Sequence, residues 1–453
     1  MTVETRTPAL RRVLNLRYLV VFGLAYLAPT VVFDQFGITS DLTGGMQTLA
    51  VLITTVAMSF TAYSYSLMVR AHPVAGSAYT YVQRSVNPWL GFFTGWVMLL
   101  DYLLLPMICY LLLGTYLNAV VPGVPVALWV VAGAVFVAVF NVIGVRAAGR
   151  INIAVVVAQV VFSAVFAIVL VVVILRAQGT TGLIDTHALV NPDTFDTGNV
   201  LRGASVLAVS FLGFDAVSTF AEETVEPRKT VPRAVMIVCV GGGAGFAVMA
   251  YLLQTAWPTS VSDMVDPNVG ILELIAHTGT SWIEVPFLVV DNVSTIVCAM
   301  AAVAAVSRVL LGMGRDDVLP RRFFGRVDAR FQTPVRNILA TSVISLSAIF
   351  YADDLLGAAS LVSFGAITGF VLVNYAAINH YFVRGGRRHG ADVLKFLVLP
   401  GLGVLVTVVL WVGIDAHAKE LGLVWLGLGL VYIGVKTRGF RRPPAPLALQ
   451  DAD

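Results

Sequence analysis

Uninterrupted apolar runs, such as 154–175 and 234–253, constrain this chain more than any other feature. Each is long enough to cross the roughly 30 Å hydrocarbon core of a bilayer as a helix, whereas a membrane barrel reads as alternating stretches of about ten residues. The whole chain agrees: 58% of its 453 residues are hydrophobic, 12% are charged, and mean hydropathy is +0.86. The sequence therefore predicts an all-α integral membrane protein with twelve transmembrane helices. The spans fall at about 17–39, 46–69, 89–115, 126–145, 151–175, 200–224, 231–255, 282–307, 335–351, 357–383, 394–414 and 420–436. No stretch between them is long enough for a soluble domain. One membrane domain, 17–436, lies between short tails at 1–16 and 437–453.

The basic residues orient it. With the N-terminus inside, all but three of the 29 lysines and arginines fall on the inner side, the exceptions being Arg176, Arg202 and Lys419. The positive-inside rule then predicts a multi-pass protein of the plasma membrane with both termini cytoplasmic. The net charge of +3 needs no nucleic acid to explain it, since topology and anionic lipid account for the basic tail. Arg6, Arg11 and Arg12 precede no cleavable leader pattern, so the N-terminal tail is read as retained.

Cys109, Cys239 and Cys298 lie in three different apolar segments with no paired spacing, which predicts neither disulfides nor a metal site. The six histidines form no HExxH pair, and no GxSxG or Walker pattern is present, so the chain reads as neither an enzyme nor an ATP-driven pump. The glycines at 241, 242, 243 and 245 lie mid-span, where they favour close helix packing over phosphate binding.

Two spans break the apolar pattern. Span 1 contains GLAYLAPTVVFDQFG, where Pro29 lacks an amide hydrogen and frees carbonyls near Ala25 and Tyr26. Span 6 contains SFLGFDAVSTFAEET, with Gly213 as a flexible point beside Asp215. Unpaired backbone at membrane depth is tolerated where a ligand, ion or water meets it. An intramembrane carboxylate costs about 2.5–3.5 kcal/mol on insertion scales and tends to face a cavity or a cation. Set against each other, spans 1–5 (about 17–175) and 6–10 (about 200–383) predict an inverted five-plus-five repeat with discontinuous helices 1 and 6. Spans 11 and 12 (about 394–436) are then accessory.

The candidate binding residues are Ala28, Pro29, Thr30, Asp34, Asp101, Tyr102, Tyr110, Phe211, Gly213, Phe214 and Asp215. No lysine or arginine lies deep enough to pair Asp34, Asp101, Asp215 or Asp291, which leaves them for a cationic substrate or for protons. Asp291 is expected near the wet outer surface. Glu222 and Glu223 are expected to pair with Arg228, Lys229 or Arg233. Aromatic rings beside the acids can stack on an ammonium. No cofactor is expected. Protons are the expected coupling ion, with sodium, through Ser294 and Thr295, left open.

Four stretches carry a family resemblance: HPVAGSAYTYVQRSVNPWLGFFTGW (72–96), NVIGVRAAGR (141–150), GFDAVSTFAEETVEPRKTVPRA (213–234) and SRVLLGMGRDDVLP (307–320). In these the chain resembles the amino acid, polyamine and organocation permeases. The resemblance implies the same LeuT-like inverted repeat with two added helices. Within that family, GLAYLAPTVVFDQFGITS, LDYLLLPMI and SFLGFDAVSTFAEET look most like bacterial putrescine importers. Many relatives carry a glycine-rich segment in helix 1 that meets an amino acid's carboxylate; here APTVVFD replaces it and adds Asp34. The expectation is a secondary transporter importing putrescine or a related small polyamine by alternating access. An amino acid importer and a transporter-like amine sensor are the alternatives.

Overall fold

A computed structural model of the protein describes residues 12–441 except 13, 75, 144–147, 258–262, 329, 332 and 353. Most of both terminal tails, together with Arg146, lies outside the described residues. Among those described, the molecule is all-helical apart from a single parallel bridge between Leu14 and Thr224. Among the described residues, eleven helical segments are long and apolar enough to span a bilayer. They are span 1 (Leu16–Asp34), 2 (Gln47–Ala71), 3 (Pro88–Val120), 4 (Val126–Ile143), 5 (Asn152–Gln178), 6 (Thr197–Glu223), 7 (Pro227–Ala256), 8 (Ser281–Arg315), 10 (Leu355–Arg384), 11 (Ala391–Gly413) and 12 (Ala416–Lys436). Span 9, Val335–Tyr351, is shorter. Its last six residues are a 3-10 helix after eleven of α-helix, and rises of about 2.0 and 1.5 Å per residue stretch it to roughly 28 Å.

Burial sorts the spans into a centre and a rim. The most apolar windows of spans 3, 6 and 10 are 94%, 89% and 72% buried, whereas those of spans 11 and 12 are 28% and 22% buried and face outward. Span 12 docks on span 3 through two tryptophans: Trp96 and Trp425 stack at 4.8 Å, and each indole N–H donates to the other's carbonyl at 2.8 Å. Gly429 makes this possible, because a Cβ there would lie 2.5 Å from the Trp96 ring.

The alternating direction of the spans gathers the basic residues at one face. Leu14 pairs with Glu223 and Val225, Arg384 donates to the carbonyls of Arg84 and Val86, and Lys436 meets Asp317 there. The opposite face holds Arg202 against Asp415 at 3.7 Å and the Thr194 hydroxyl on the Gly44 carbonyl. Of the span 7 glycines, Gly243 packs close to Thr55 and Phe211 and Gly242 to Leu27, as expected. Gly241 and Gly245 meet nothing within 4 Å, so for these two the packing expectation fails.

Candidate substrate site at two broken helices

Both expected breaks are present and touch. Span 1 consists of Leu16–Leu27, Val31–Asp34 and a continuation Phe36–Thr43, with Ala28 at φ 52° between the first two pieces. Pro29 cannot donate to the Ala25 carbonyl, and the Tyr26 carbonyl, left open by the helix end at Leu27, accepts the Cys298 thiol at 3.0 Å. Span 6 runs as an α-helix from Thr197 to Leu207 and a 3-10 turn from Ala208 to Phe211, then unwinds. It resumes at Ala216–Glu223 as a 3-10 helix, which the sequence reading did not anticipate. Gly213 adopts φ +125°, and a Cβ there would lie 2.8 Å from the Gly23 carbonyl oxygen and 2.9 Å from the Leu27 nitrogen. Only glycine allows both that backbone and that approach.

Asp215 sits just past this unwound turn. Its Oδ2 accepts the Tyr102 hydroxyl at 2.7 Å and its Oδ1 the Gly213 amide at 3.2 Å. Tyr102 comes from span 3 beside Asp101, whose carboxylate is an electrostatic neighbour of Asp215. Span 10 closes over them, since a Cβ on Gly365 would lie 2.8 Å from the Asp101 amide nitrogen. Pro106, one turn on, leaves the Tyr102 carbonyl without its helical donor.

Asp34 and Asp291 form a second pair. They are close enough to repel each other, and the Tyr116 hydroxyl lies beside Asp34. Thr30 of the span 1 break donates to the Ser294 hydroxyl of span 8 at 3.3 Å, tying the two segments that carry these acids. The expectation for Asp291 is corrected here: it is 1% exposed, inside the protein and not at a wet rim.

Between the pairs lie Tyr26 and two thiols. Tyr26 is within electrostatic reach of Asp101 and Asp215 and of Cys298 and Cys109, while Cys109 is within reach of Cys298, Asp34 and Asp291. Cysteines that showed no paired spacing in sequence are thus neighbours in space. All four acids are 0–3% exposed, so the site is closed to both faces. Among the described residues none of them joins an ion pair. Both carboxylate oxygens of Asp101 and of Asp291, and one of Asp34, have no hydrogen-bond partner there. Paired buried carboxylates call for a cation or a proton between them.

The other expected residues are distributed around this line. Phe214 packs at 5.7 Å on Tyr65 and 5.3 Å on Phe370, forming an aromatic wall next to Asp215. Phe211 turns instead toward Phe246 of span 7 at 5.6 Å. Tyr110 lies against Gly133 of span 4. Tyr65, Tyr116 and Cys298 join the site without having been expected there, and Tyr26 and Asp291, noted in the sequence beside the break and among the intramembrane acids, join it too. For Tyr26 the signal was present, one turn before Pro29.

At the basic face, the Arg308 guanidinium of span 8 stands 4.6 Å over the Phe220 ring and 3.7 Å from Glu223. Glu223 therefore pairs with span 8, not with the nearby Arg228, Lys229 or Arg233; Lys229 pairs with Glu226. His72 lies 5.0 Å from His380 at this face. Burial first and His380 next hold the His72 imidazole down to about 4, so it is neutral at pH 7 and adds no charge to the basic rim. Glu223 ends the segment Ala216–Glu223 that leads from Asp215 to this face. Glu223→Gln is expected to leave equilibrium affinity within about threefold, because its pair with Arg308 contacts none of the four acids, while changing uptake rate severalfold. Binding and uptake measured on one preparation check this.

Comparison with known proteins agrees with a multi-pass helical membrane protein. The amino acid permease family model matches residues 19–414. The chain is 37% identical to the low-affinity putrescine importer PlaP of Escherichia coli, over 98% of this chain and 97% of that protein. It is 24% identical to the branched-chain amino acid permease BcaP of Bacillus subtilis over 93% and 92% of the two chains, and 24% identical to the methylthioribose transporter of Bacillus subtilis over 83% of each. A multi-pass helical membrane protein, broken in two spans around buried acids and matched over nearly its whole length, is thereby placed: the chain belongs to the amino acid permease family.

Proposed function

We propose that this permease imports putrescine or a similar short diamine across the plasma membrane, one ammonium held by Asp215 and Asp101 and the other by Asp34 and Asp291. The observation that carries the reading is the arrangement of four buried carboxylates as two pairs on either side of Tyr26, Cys109 and Cys298. A diamine matches it group by group: each ammonium meets two acids, the freed carbonyls of Tyr26 and Tyr102 accept further N–H donors, and the methylenes lie along the thiols. The 37% identity to a putrescine importer supports the same substrate class. Neutral amino acids fit less well, because the site offers carboxylates where their carboxyl group needs donors.

Transport follows alternating access in an inverted repeat of spans 1–5 and 6–10, with spans 11 and 12 accessory and the arginine-rich face cytoplasmic. Protons are the coupling ion in this reading, exchanged at the acid pairs when no ammonium bridges them. Uptake of labelled putrescine into proteoliposomes tests the function. Unlabelled putrescine is expected to compete at concentrations at least about tenfold below those of a neutral amino acid, the advantage of one more charge-assisted contact. Equal competition returns the reading to an amino acid importer, and binding without uptake makes the protein a sensor.

A further inference from the structure

We propose that a groove between spans 2 and 7 at the arginine-rich face binds the headgroup of an anionic phospholipid. The groove, of about 300 Å³, is lined by none of the acids and plays no part in the transport reading. Span 2 contributes Tyr63, Leu67 and Arg70, spaced to share one helical face, and span 7 contributes Arg233, Met236 and Ile237. The Ser66 hydroxyl, donating to the Pro232 carbonyl at 3.2 Å, joins the two walls.

Its chemistry is divided as a lipid's is. Two exposed guanidiniums flank the mouth, and the Tyr63 hydroxyl is within electrostatic reach of Arg70. The rest of the lining is largely apolar, with Ile237 47% exposed. Among the described residues neither arginine is in an ion pair, and no carboxylate lines the groove. Arg228 and Arg387 extend the positive field around Tyr381, whose hydroxyl donates to the Leu67 carbonyl at 2.9 Å. Guanidiniums bind phosphate through paired N–H donors, and the exposed apolar side chain of Ile237 gives an acyl chain a surface to lie on. Charge complementarity at headgroup depth, with apolar contact beside it, favours a phospholipid over a free anion. A lipid seated there touches two segments that lead to different broken helices, and so couples leaflet composition to transport.

The test is native mass spectrometry of the full-length protein titrated with phosphatidylglycerol or phosphatidylcholine, beside uptake in vesicles of each composition. Wild type is expected to hold phosphatidylglycerol about tenfold more tightly than phosphatidylcholine. Arg70→Gln with Arg233→Gln should reduce that ratio to about twofold, as should Ile237→Trp, which fills the groove and leaves the charges in place. Arg326→Gln, an exposed arginine elsewhere on the same face, should leave the ratio unchanged. The proposal is overturned if the double variant keeps the wild-type ratio, if Arg326→Gln lowers it equally, or if millimolar inorganic phosphate displaces the lipid. Unchanged elution of the variants on gel filtration in neutral lipid separates loss of the site from loss of the fold.

Discussion

Asp215→Asn is expected to lower putrescine affinity by at least about a hundredfold and to abolish uptake while the protein still reaches the membrane. The carboxylate is fully buried, held by Tyr102 at 2.7 Å and by the Gly213 amide, at the point where span 6 unwinds. The amide replacing it keeps the shape and can still accept the Gly213 amide, with the Tyr102 hydroxyl turned to accept from Nδ2, but leaves a desolvated ammonium without its charge partner, and breaking a buried pair costs about 3–5 kcal/mol. Asp101 remains nearby and limits the loss; its own replacement should cost less, because none of its oxygens is fixed by a donor. Equilibrium binding to detergent-purified protein measures the effect. An Asp215→Asn protein that binds within about threefold of wild type would assign the aspartate to the helix break alone.

Gly213→Ala is expected to lose both stability and transport. At φ +125° a side chain is strained by about 1–3 kcal/mol, and the new methyl group would meet span 1 backbone at 2.8 and 2.9 Å, adding an overpacking cost of about 1–3 kcal/mol. Because the obstacle is backbone and not a flexible side chain, the two broken helices must separate to admit it. Separation moves Asp215 away from Tyr26. Gly241→Ala is the matched control: nothing lies within 4 Å of its Cβ position, and melting temperature and uptake should stay near wild type. A thermal melt and an uptake assay on both variants check the contrast.

What the sequence discloses here follows from what is local. Continuous apolar runs fix the spans, and a proline or glycine beside an acid within such a run marks a break, so Pro29, Gly213 and Asp215 could be singled out from their neighbours alone. Tyr102 could be picked out because it adjoins Asp101. Asp291 could not be placed, since its meaning depends on Asp34, which is distant in sequence and is brought close only by the packing of span 8 on span 1. The same limit misdirected Glu223. Basic residues a few positions away are the obvious partners, yet the 3-10 geometry of Ala216–Glu223 and the stacking of Arg308 on Phe220 give it to span 8. Tyr110 shows the converse, because an aromatic residue near an acid along one helix can still face an outer span. The shortness of span 9 was visible in its length, but its 3-10 extension was not.

The central claim is that two acid pairs receive two ammoniums, and the ratio of diamine to monoamine affinity tests it most directly. Dissociation constants for putrescine and for the monoamine of equal carbon number should be measured on wild type and on Asp34→Asn. In wild type the second ammonium should contribute about 1.5–3 kcal/mol as a charge-assisted contact, a ratio of at least about tenfold. In Asp34→Asn, with one end of the site weakened and Asp215 untouched, the ratio should fall to about threefold or less while monoamine affinity barely changes. An unchanged ratio in Asp34→Asn, or a wild-type ratio near one, would contradict the account.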